Sequence, residues 1–304
     1  MKKIKIGIPR AFLYYRYGQL WKTYFSLLGC KIILSPETNT ELLNIGISNS
    51  NDENCLSYKI YLGHAIYLSK TCDYILVPHI CNYGKNNTVC PKLNNIYNIL
   101  KEYISSNQLL NYDIDHIHYK YQSIGLLKLG FKFTKNPLKI IYSYLIAKEK
   151  QKKYNINKQN EEKNKLLKQD KKILIISYFY IIEDNYIMSY IKEYLKNNNI
   201  IPIYCHNLDK KTSMEFSEYF SSNIYWKYSK EMMGALYYYK YQINGIIFIS
   251  SYNCSIDSYV NNLAITKNKD IPILNLIIDE YTYNLDIETK LESFLDIINV
   301  EYNK

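Results

Sequence analysis

The seven cysteines are the residues of this 304-residue chain with the clearest potential for specific chemistry. A cysteine thiolate is both a nucleophile and a metal ligand. No two of the cysteines form a CxxC pair, and none of them lies in a ferredoxin-type run. Spacing alone therefore favours seven scattered core residues, and a more specific interpretation has to come from their positions along the predicted elements.

Position separates the cysteines into two groups. In open parallel sheets, ligands bind beyond the carboxyl ends of the strands. Cys81 and Cys90 follow one predicted strand, Cys254 follows another, and Cys55 lies in the first turn of a helix predicted to begin near Asp52. A helix N-terminus favours the thiolate form. The other three, Cys30, Cys72 and Cys205, adjoin or lie within strands and are interpreted as small buried hydrophobic residues.

Other polar side chains are weaker candidates for a site. Arg10 ends the first predicted strand, where it would meet an anion or a thioester carbonyl, or pair with a nearby carboxylate at the surface. His64 follows Cys55 by about two and a half helical turns, on roughly the opposite face. A packed, hydrogen-bonded histidine is therefore favoured over a proton donor there. His79 follows the third strand, with no motif to support a role.

Short β-branched runs alternate with helical stretches on both sides of a lysine-rich segment. Strands are predicted at 3–9, 31–35, 73–78, 172–178, 200–204, 245–250 and 271–278, with helices between them. Residues 100–148 are predicted to be mostly helical. This alternation predicts parallel sheets with right-handed crossovers, and hence an α/β fold of two Rossmann-like lobes facing a central cleft.

The lysine-rich segment predicts the domain organisation. Residues 148–172 contain ten lysines and four acidic residues, which accounts for six of the ten net positive charges of the chain. We predict an N-terminal Rossmann-like lobe with a helical extension at 1–147, a charged linker or solvated helix at 148–171, and a C-terminal Rossmann-like lobe at 172–304. Because the remaining charge is spread thinly, a nucleic-acid partner is not expected.

Several classes of protein are disfavoured by the sequence. Gly7 and Pro9 interrupt the basic start before any apolar h-region, and no apolar run approaches the roughly 20 residues of a membrane helix. We therefore expect a cytoplasmic protein with no membrane partner, where disulfides are rare and cysteines suggest metal or redox chemistry. No GxGxxG or GxxxxGK[ST] sequence supports a nucleotide site.

Short motifs in both halves of the chain resemble those of one family. In the first lobe they are Ile6-Gly7-Ile8-Pro9-Arg10-Ala11, Tyr14-Tyr15, Trp21-Lys22, Asp52-Glu53-Asn54-Cys55-Leu56-Ser57-Tyr58-Lys59, Gly63-His64 and Cys90-Pro91-Lys92. In the second they are Tyr225-Trp226, Gly234-Ala235, Asn244-Gly245-Ile246-Ile247, Cys254-Ser255-Ile256-Asp257-Ser258, Asp279-Glu280-Tyr281-Thr282 and Thr289-Lys290-Leu291-Glu292-Ser293-Phe294. In this order they resemble the 2-hydroxyacyl-CoA dehydratase D-component family, in its branch of standalone acyl-CoA dehydratase activase-related proteins.

The resemblance implies an iron–sulfur protein. In that family, three cysteines hold a 4Fe–4S cluster between two lobes, and an ATP-dependent activator protein supplies the electron that reduces an acyl-CoA thioester to a ketyl radical before water leaves. Carried over to this chain, the ligands are Cys55, Cys90 and Cys254, and Cys81 is excluded. The implied partners are the activator, a second dehydratase-like subunit or a second copy of the chain, and a possible acyl-CoA substrate.

The chain departs from the family pattern beside these cysteines. Ser57 replaces a proline, Ser255-Ile256 replaces Gly-Pro, Tyr281 replaces a histidine and Lys290 replaces an arginine. A serine in place of glycine is expected to stiffen its turn, and lysine lacks the bidentate fork of arginine. Three hypotheses therefore remain: a dehydratase-like lyase or its electron-transfer component, a non-catalytic partner or assembly subunit, and a structural homologue that holds zinc on the same cysteines.

Overall fold

The computed structural model describes residues 3–118, 123–282 and 284–302. The chain forms two compact units, Met1–Ile156 (unit 1) and Asn157–Lys304 (unit 2). Each unit contains a four-stranded sheet in which every pairing is parallel. The predicted α/β class with parallel sheets is thereby confirmed.

Unit 1 alternates strands and helices from its start. Its elements are β1 (Lys5–Ile8), α1 (Tyr14–Leu27), β2 (Lys31–Leu34), α2 (Thr40–Ser48), α3 (Leu56–Ser69), β3 (Tyr74–Leu76), β4 (His79–Asn82), α4 (Pro91–Asn94), α5 (Ile96–Leu100), β5 (Leu109–Leu110), β6 (Asp113–Asp115), α6 (Ser123–Gly130) and α7 (Pro137–Leu166). The sheet order is β2-β1-β3-β5, and β1 lies in its interior with Ile6 and Ile8 fully buried. Burying such residues on a sheet supplies most of the favourable free energy of folding.

A second parallel pair continues two strands of this sheet. After β3 and β5, the chain runs on into β4 and β6, which pair with each other with His79 opposite Asp113. Backbone hydrogen bonds from Val77 N to Leu110 O and from His79 N to Tyr112 O span the junction. The β4–β6 pair therefore lies just beyond the carboxyl ends of β3 and β5.

The prediction of a mostly helical stretch at 100–148 is wrong for its first part. Strands β5 and β6 occupy Leu109–Leu110 and Asp113–Asp115, and helix returns at α6. These strands are two and three residues long, too short to display an alternating pattern that sequence reasoning recognises. Their positions depend instead on pairing with β3 and β4, which is a tertiary interaction.

Unit 2 repeats the parallel arrangement with longer strands. Its elements are β7 (Lys172–Ile176), α8 (Phe179–Ile182), α9 (Asn185–Asn197), β8 (Ile201–Tyr204), a 3-10 turn (Cys205–Asn207), α10 (Lys210–Phe220), α11 (Lys227–Tyr239), β9 (Gly245–Ser251), α12 (Ser255–Lys267), β10 (Ile273–Ile278) and α13 (Asn284–Tyr302). The sheet order is β10-β9-β7-β8, and all seven residues of β9 are buried. A continuous run such as GIIFIS is typical of a parallel strand covered on both faces.

The lysine-rich segment predicted at 148–171 is helical as far as the end of α7. The boundary between the two units falls within this helix. Most of its lysines are exposed, but Glu162 is only 1% exposed. Its carboxylate accepts hydrogen bonds from Tyr204 N at 2.7 Å and from Asn207 Nδ2 at 2.8 Å. Glu162 therefore belongs to the buried interior, although it lies in a low-complexity segment.

Candidate functional site

The three cysteines implied as ligands occupy equivalent local positions. Cys55 is the N-cap of α3, Cys90 the N-cap of α4 and Cys254 the N-cap of α12, and all three are partly exposed. None of the seven cysteines forms a disulfide. An N-cap side chain lies beside the unsatisfied N–H groups of the first turn, which favour negative charge at the start of α3 and α12. Sulfur ligands at these positions are well suited to a metal centre.

The start of α3 differs from the prediction. Asp52 lies in a turn, closed by the hydrogen bond from Asn54 N to Asn51 O, and the helix begins at Leu56. The first helical bonds run from Tyr58 N and Lys59 N to Cys55 O. Cys55 is therefore the capping residue itself rather than a residue of the first turn behind Asp52. Cysteine is not a typical N-cap, so neither N-cap propensity nor sequence spacing revealed this position.

Two lysines tie the Cys55 segment to its surroundings within unit 1. Lys59 is 1% exposed, and its Nζ donates to Asp52 O at 3.2 Å. Lys92, two residues after Cys90, donates from Nζ to Glu53 O at 3.4 Å. The same ammonium lies 5.7 Å from the ring centroid of Tyr58, close enough for a cation–π interaction.

These contacts bring the DENCLSYK and CPK motifs together within unit 1. Lys59 donates to the backbone carbonyl of Asp52, and Lys92 donates to that of Glu53. Both carbonyls lie in the turn that precedes Cys55. The two motif lysines therefore hold the turn before Cys55 in place.

Cys254 is positioned by a tight turn at the end of β9 in unit 2. The turn contains Asn253 at φ 59°, a left-handed conformation that asparagine tolerates better than most residues. Cys254 N closes the turn by donating to Ser251 O at 3.1 Å. Ser255 is the first residue of α12 and is not among the described residues with positive φ. The serine that replaces the family glycine therefore introduces no left-handed strain.

A buried carboxyl group lies next to Cys254. Asp257 is 3% exposed, and burial raises its pKa to about 7. Hydrogen bonds from the Cys254 side chain, the Ser251 backbone and the Tyr178 side chain oppose that rise in the pKa. The helix α12 begins at Ser255, so Asp257 lies in its first turn.

An open cavity of about 390 Å³ adjoins Cys254 in unit 2. It lies at the carboxyl end of β9, where ligands of parallel sheets bind. Its lining is mostly polar or small and includes Ser251, Asn253, Ser258 and Asn275. Cys254 is therefore accessible from a space large enough to admit a small ligand.

His64 is part of the interior of unit 1. Its side chain is fully buried, with Nδ1 2.6 Å from Ser35 Oγ and Nε2 3.0 Å from Thr38 Oγ1. Burial, followed by the charge of Arg10, lowers the pKa of His64 to about 3. The imidazole is therefore neutral at physiological pH, in the geometry of a packed, hydrogen-bonded histidine.

Arg10 lies at the carboxyl end of β1, next to the same hydrogen-bond network. Its backbone N–H donates to Ser35 Oγ at 2.9 Å, and its guanidinium lies 3.5 Å from the exposed carboxylate of Glu37. The described contacts of Arg10 are thus those of an arginine paired with a nearby carboxylate. That pairing was one of the two interpretations that the sequence allowed.

One cluster of metal-ligating side chains was missed by sequence reasoning. His79, Cys81 and Asp113 bring an imidazole nitrogen, a sulfur and a carboxylate oxygen within 4.8 Å of one another. Burial, then the charges of Asp113 and Asp115, raises the pKa of the Cys81 thiol. The available signal was the His-x-Cys spacing in β4, since residues two apart in a strand share a face. Asp113 joins them only through the pairing of β4 with β6.

The fold and these sites define a parallel α/β protein with cysteine thiols at the starts of helices. The family described as CoA enzyme activase uncharacterised domain (DUF2229) matches residues 5–208, that is 204 of the 304 residues. The chain belongs to this family. The match includes Cys55 and Cys90 and ends before Cys254. The resemblance to acyl-CoA activase-related proteins is confirmed at this level, while the narrower D-component dehydratase branch stays a prediction.

Two further findings bear on the predictions. None of the curated proteins compared with the chain matches it. Among the described residues, no helix combines the length and the apolar character that crossing a bilayer requires.

Proposed function

We propose that this chain is an iron–sulfur protein that serves a CoA enzyme system, with one 4Fe–4S cluster held by Cys55, Cys90 and Cys254. Membership of the CoA enzyme activase family supports the connection to such a system. The observation that carries the cluster proposal is that each of these three cysteines, taken from three separate motifs, is the N-cap of a helix.

The donor set suits an iron–sulfur cluster. Three thiolates satisfy three irons and leave the fourth open to solvent or substrate, and thiolates are the ligands such clusters use. When bound, the cluster supplies one-electron reducing chemistry. In this proposal the residues of the chain hold it: unit 1 contributes Cys55 and Cys90 with the lysines beside them, and unit 2 contributes Cys254 beside the carboxyl of Asp257.

We further propose that the electron comes from an ATP-dependent activator protein and is used on an acyl-CoA thioester. In this scheme the chain is either a dehydratase-like lyase or an electron-transfer component acting with a second subunit or a second copy. The resemblance of the motifs supports this role, and the cavity of about 390 Å³ beside Cys254 offers room for part of a ligand.

The cluster is tested by anaerobic purification followed by iron, sulfide and visible absorption measurements. We expect a brown protein with about four irons and four sulfides per chain. Cys55→Ser, Cys90→Ser and Cys254→Ser are each expected to lose most of the absorption. Serine is itself a good N-cap, so these variants are expected to keep their helices, which circular dichroism checks.

The matched control is Cys72→Ser, which alters a buried cysteine that precedes β3. It is expected to retain the full iron content and absorption. A colourless wild-type protein after anaerobic reconstitution, or equal bleaching by Cys72→Ser, contradicts the cluster proposal. Stoichiometric zinc on the same three cysteines instead of iron would identify the chain as a zinc-binding homologue.

The electron-transfer role requires a separate measurement. The clustered protein is mixed with its activator, with and without ATP, and the loss of visible absorption on reduction is followed. ATP-dependent reduction is expected. A stable cluster that the activator does not reduce contradicts that role and favours a non-catalytic partner or assembly subunit.

A further inference from the structure

The two faces of the β4–β6 pair differ sharply in character. Ile80 and Ile114, on one face, are buried at 0% and 2% exposure. His79, Cys81 and Asp113 gather on the other face, with the His79 and Asp113 side chains 27% and 55% exposed. Residues alternate between faces along a strand, so this arrangement leaves the polar side chains together at the carboxyl end of the sheet.

A β-bulge in β4 contains Cys81, whose side chain lies close to His79 and Asp113. The register of the pair shifts between Ile80 and Asn82, so Cys81 has no partner residue in β6. Cys81 Sγ lies 3.4 Å from His79 Nδ1, which in turn lies 2.9 Å from Asp113 Oδ1. Bulges commonly redirect a side chain towards a functional site.

The donor distances are close to those of a tetrahedral zinc site. Zinc bonds of about 2.0 to 2.3 Å at tetrahedral angles separate the donor atoms by roughly 3.4 to 3.6 Å. The sulfur–nitrogen distance of 3.4 Å already matches, and the nitrogen–oxygen distance of 2.9 Å needs to open by only a few tenths of an ångström. Side-chain rotation alone would suffice, since Asp113 is half exposed.

The backbone that carries these ligands is held from both sides. Asn94 Nδ2 donates to Ile80 O at 2.6 Å and to Cys81 O at 3.4 Å, which fixes the bulge. On β6, the backbone of Gly125 approaches Asp113 so closely that a Cβ there would lie 2.3 Å from Asp113 O. Rigid support of this kind is what keeps metal ligands in a productive geometry.

Nearby Asp115 is engaged elsewhere and is not part of the ligand set. Its carboxylate accepts from Asn82 Nδ2 at 2.5 Å and from the backbone N–H groups of Ile117 and His118 at 3.1 Å, and it pairs with His118 Nδ1. Its role is to close the loop that follows β6. The ligands proposed here are therefore one imidazole, one thiolate and one carboxylate.

We propose that His79, Cys81 and Asp113 form a binding site for a single zinc-like divalent cation, separate from the cluster proposed above. A mixed nitrogen, sulfur and oxygen donor set favours Zn²⁺ over Mg²⁺ or Ca²⁺, which prefer oxygen alone. Three protein ligands leave the fourth position for water or a substrate oxygen, as in catalytic rather than structural zinc sites.

The test uses Co²⁺, a spectroscopic substitute for Zn²⁺, on metal-free full-length protein. The background is the triple variant Cys55→Ser, Cys90→Ser and Cys254→Ser, so that the cluster ligands do not contribute. We expect one Co²⁺ per chain, with a thiolate-to-cobalt charge-transfer band and the strong visible absorption of a four-coordinate ion. Excess Zn²⁺ is expected to displace the cobalt and remove both signals.

Single changes in this background identify the ligands. Cys81→Ser is expected to abolish the charge-transfer band, and His79→Ala and Asp113→Asn to weaken Co²⁺ binding at least about tenfold. The matched control is His118→Ala, an exposed histidine that pairs with Asp115 and is not a proposed ligand. It is expected to leave the spectrum and the affinity unchanged.

The outcomes separate this proposal from the cluster proposal. Absence of the charge-transfer band in the triple variant, or its persistence in Cys81→Ser, overturns the zinc site whatever the fate of the cluster. If the triple variant does not fold, zinc is titrated into the metal-free wild type and the single variants. Cys81→Ser should then lose one binding event that Cys55→Ser retains, and equal stoichiometry in wild type and Cys81→Ser overturns the proposal.

Discussion

At the scale of single residues, environment rather than residue type decides what each polar group does. His64 and His79 are both histidines near the carboxyl edge of the unit 1 sheet. His64 is fully buried between Ser35 and Thr38, whereas His79 is partly exposed next to Cys81 and Asp113. The first is suited to a structural role and the second to metal binding.

The lowered pKa of His64 predicts an acid sensitivity of unit 1. The folded value is about 3, below the ordinary 6.5, so the unfolded state binds the proton first as the pH falls. Stability is therefore complete above about pH 6.5 and decreases towards pH 3, by up to about 1.4 kcal/mol per pH unit. His64→Gln removes this contribution, so we expect its deficit relative to wild type to shrink between pH 7 and pH 4.

Urea unfolding at a series of pH values measures this effect. In a Trp226→Phe background the remaining tryptophan, Trp21, is buried and reports on unit 1 alone. Leu43→Ala is the control, because it destabilises unit 1 without removing a titratable group, so its deficit is expected to stay constant from pH 7 to pH 4. Parallel pH profiles for wild type and His64→Gln would contradict the prediction.

At the scale of elements, the glycines of the motifs Gly63-His64 and Gly234-Ala235 lie where two helices pack closely together. A Cβ on Gly63 in α3 would lie 1.9 Å from Leu42 O in α2, and one on Gly234 in α11 would lie 1.7 Å from Ser213 O in α10. In both places a glycine lets one helix backbone approach another. The helix α2 was not predicted from the sequence, although its contact with α3 depends on this glycine.

Gly63→Ala is therefore expected to be clearly destabilising. The new methyl group meets a backbone carbonyl that has no flexible end to move, so α2 and α3 must separate, at a cost of about 1–3 kcal/mol or more. Gly18→Ala is the control, because the nearest atoms to a Cβ there belong to the side chain of Tyr14 and not to backbone. That change is expected to be near neutral, since the helix gains about 1 kcal/mol of propensity.

The measurement is again urea unfolding followed by Trp21 fluorescence. A loss of stability in Gly63→Ala that is no larger than in Gly18→Ala would show that the two helices adapt. Because Cys55 caps α3, the iron content of Gly63→Ala is a second readout, and we expect it to fall together with the stability.

At the scale of the whole molecule, the lysine-rich region has a structural role. It forms the second half of α7, and the boundary between the two compact units lies within it. Glu162 accepts hydrogen bonds from the end of β8 and from the turn that follows, and Lys165 Nζ lies 3.3 Å from the same carboxylate. The segment thus contributes one buried anchor to unit 2.

Glu162→Ala is expected to destabilise unit 2 by about 3 kcal/mol. The change leaves the Tyr204 N–H and the Asn207 amide without their acceptor, and unsatisfied buried donors cost about 1–3 kcal/mol each. Hydrogen exchange of the amides around Tyr204 measures the loss of protection directly. The neighbouring Glu161 is exposed, and Glu161→Ala is expected to leave exchange unchanged. Equal protection in both variants would exclude the anchor role.

The longer elements were predictable from the sequence alone. Continuous apolar runs such as those of β7 and β9 indicate buried parallel strands without further information. The helix α9 is amphipathic, which predicts it equally well. Their periodicity is a local property of the chain. The motifs around Cys55 and Cys90 are likewise local, and they indicate the CoA enzyme activase family without any knowledge of the fold.

The short strands and the precise local sites required the tertiary structure. Strands β5 and β6 exist because β3 and β4 offer hydrogen-bond partners, and two or three residues carry no detectable pattern of their own. The same pairing puts Asp113 beside His79 from 34 residues away. Contacts of this kind depend on the register of strands distant in sequence, which composition and spacing do not encode locally.

The cysteines show most clearly which features the sequence determines and which require the tertiary structure. The sequence by itself determined which thiols follow strands or precede helices, and its motifs singled out Cys55, Cys90 and Cys254. Only the structure decided that all three are N-cap residues, and that Cys81, set aside by the motifs, faces an imidazole and a carboxylate. Helix starts and bulges are set by backbone hydrogen bonds across the fold, and these tertiary contacts therefore determine the surroundings of each thiol.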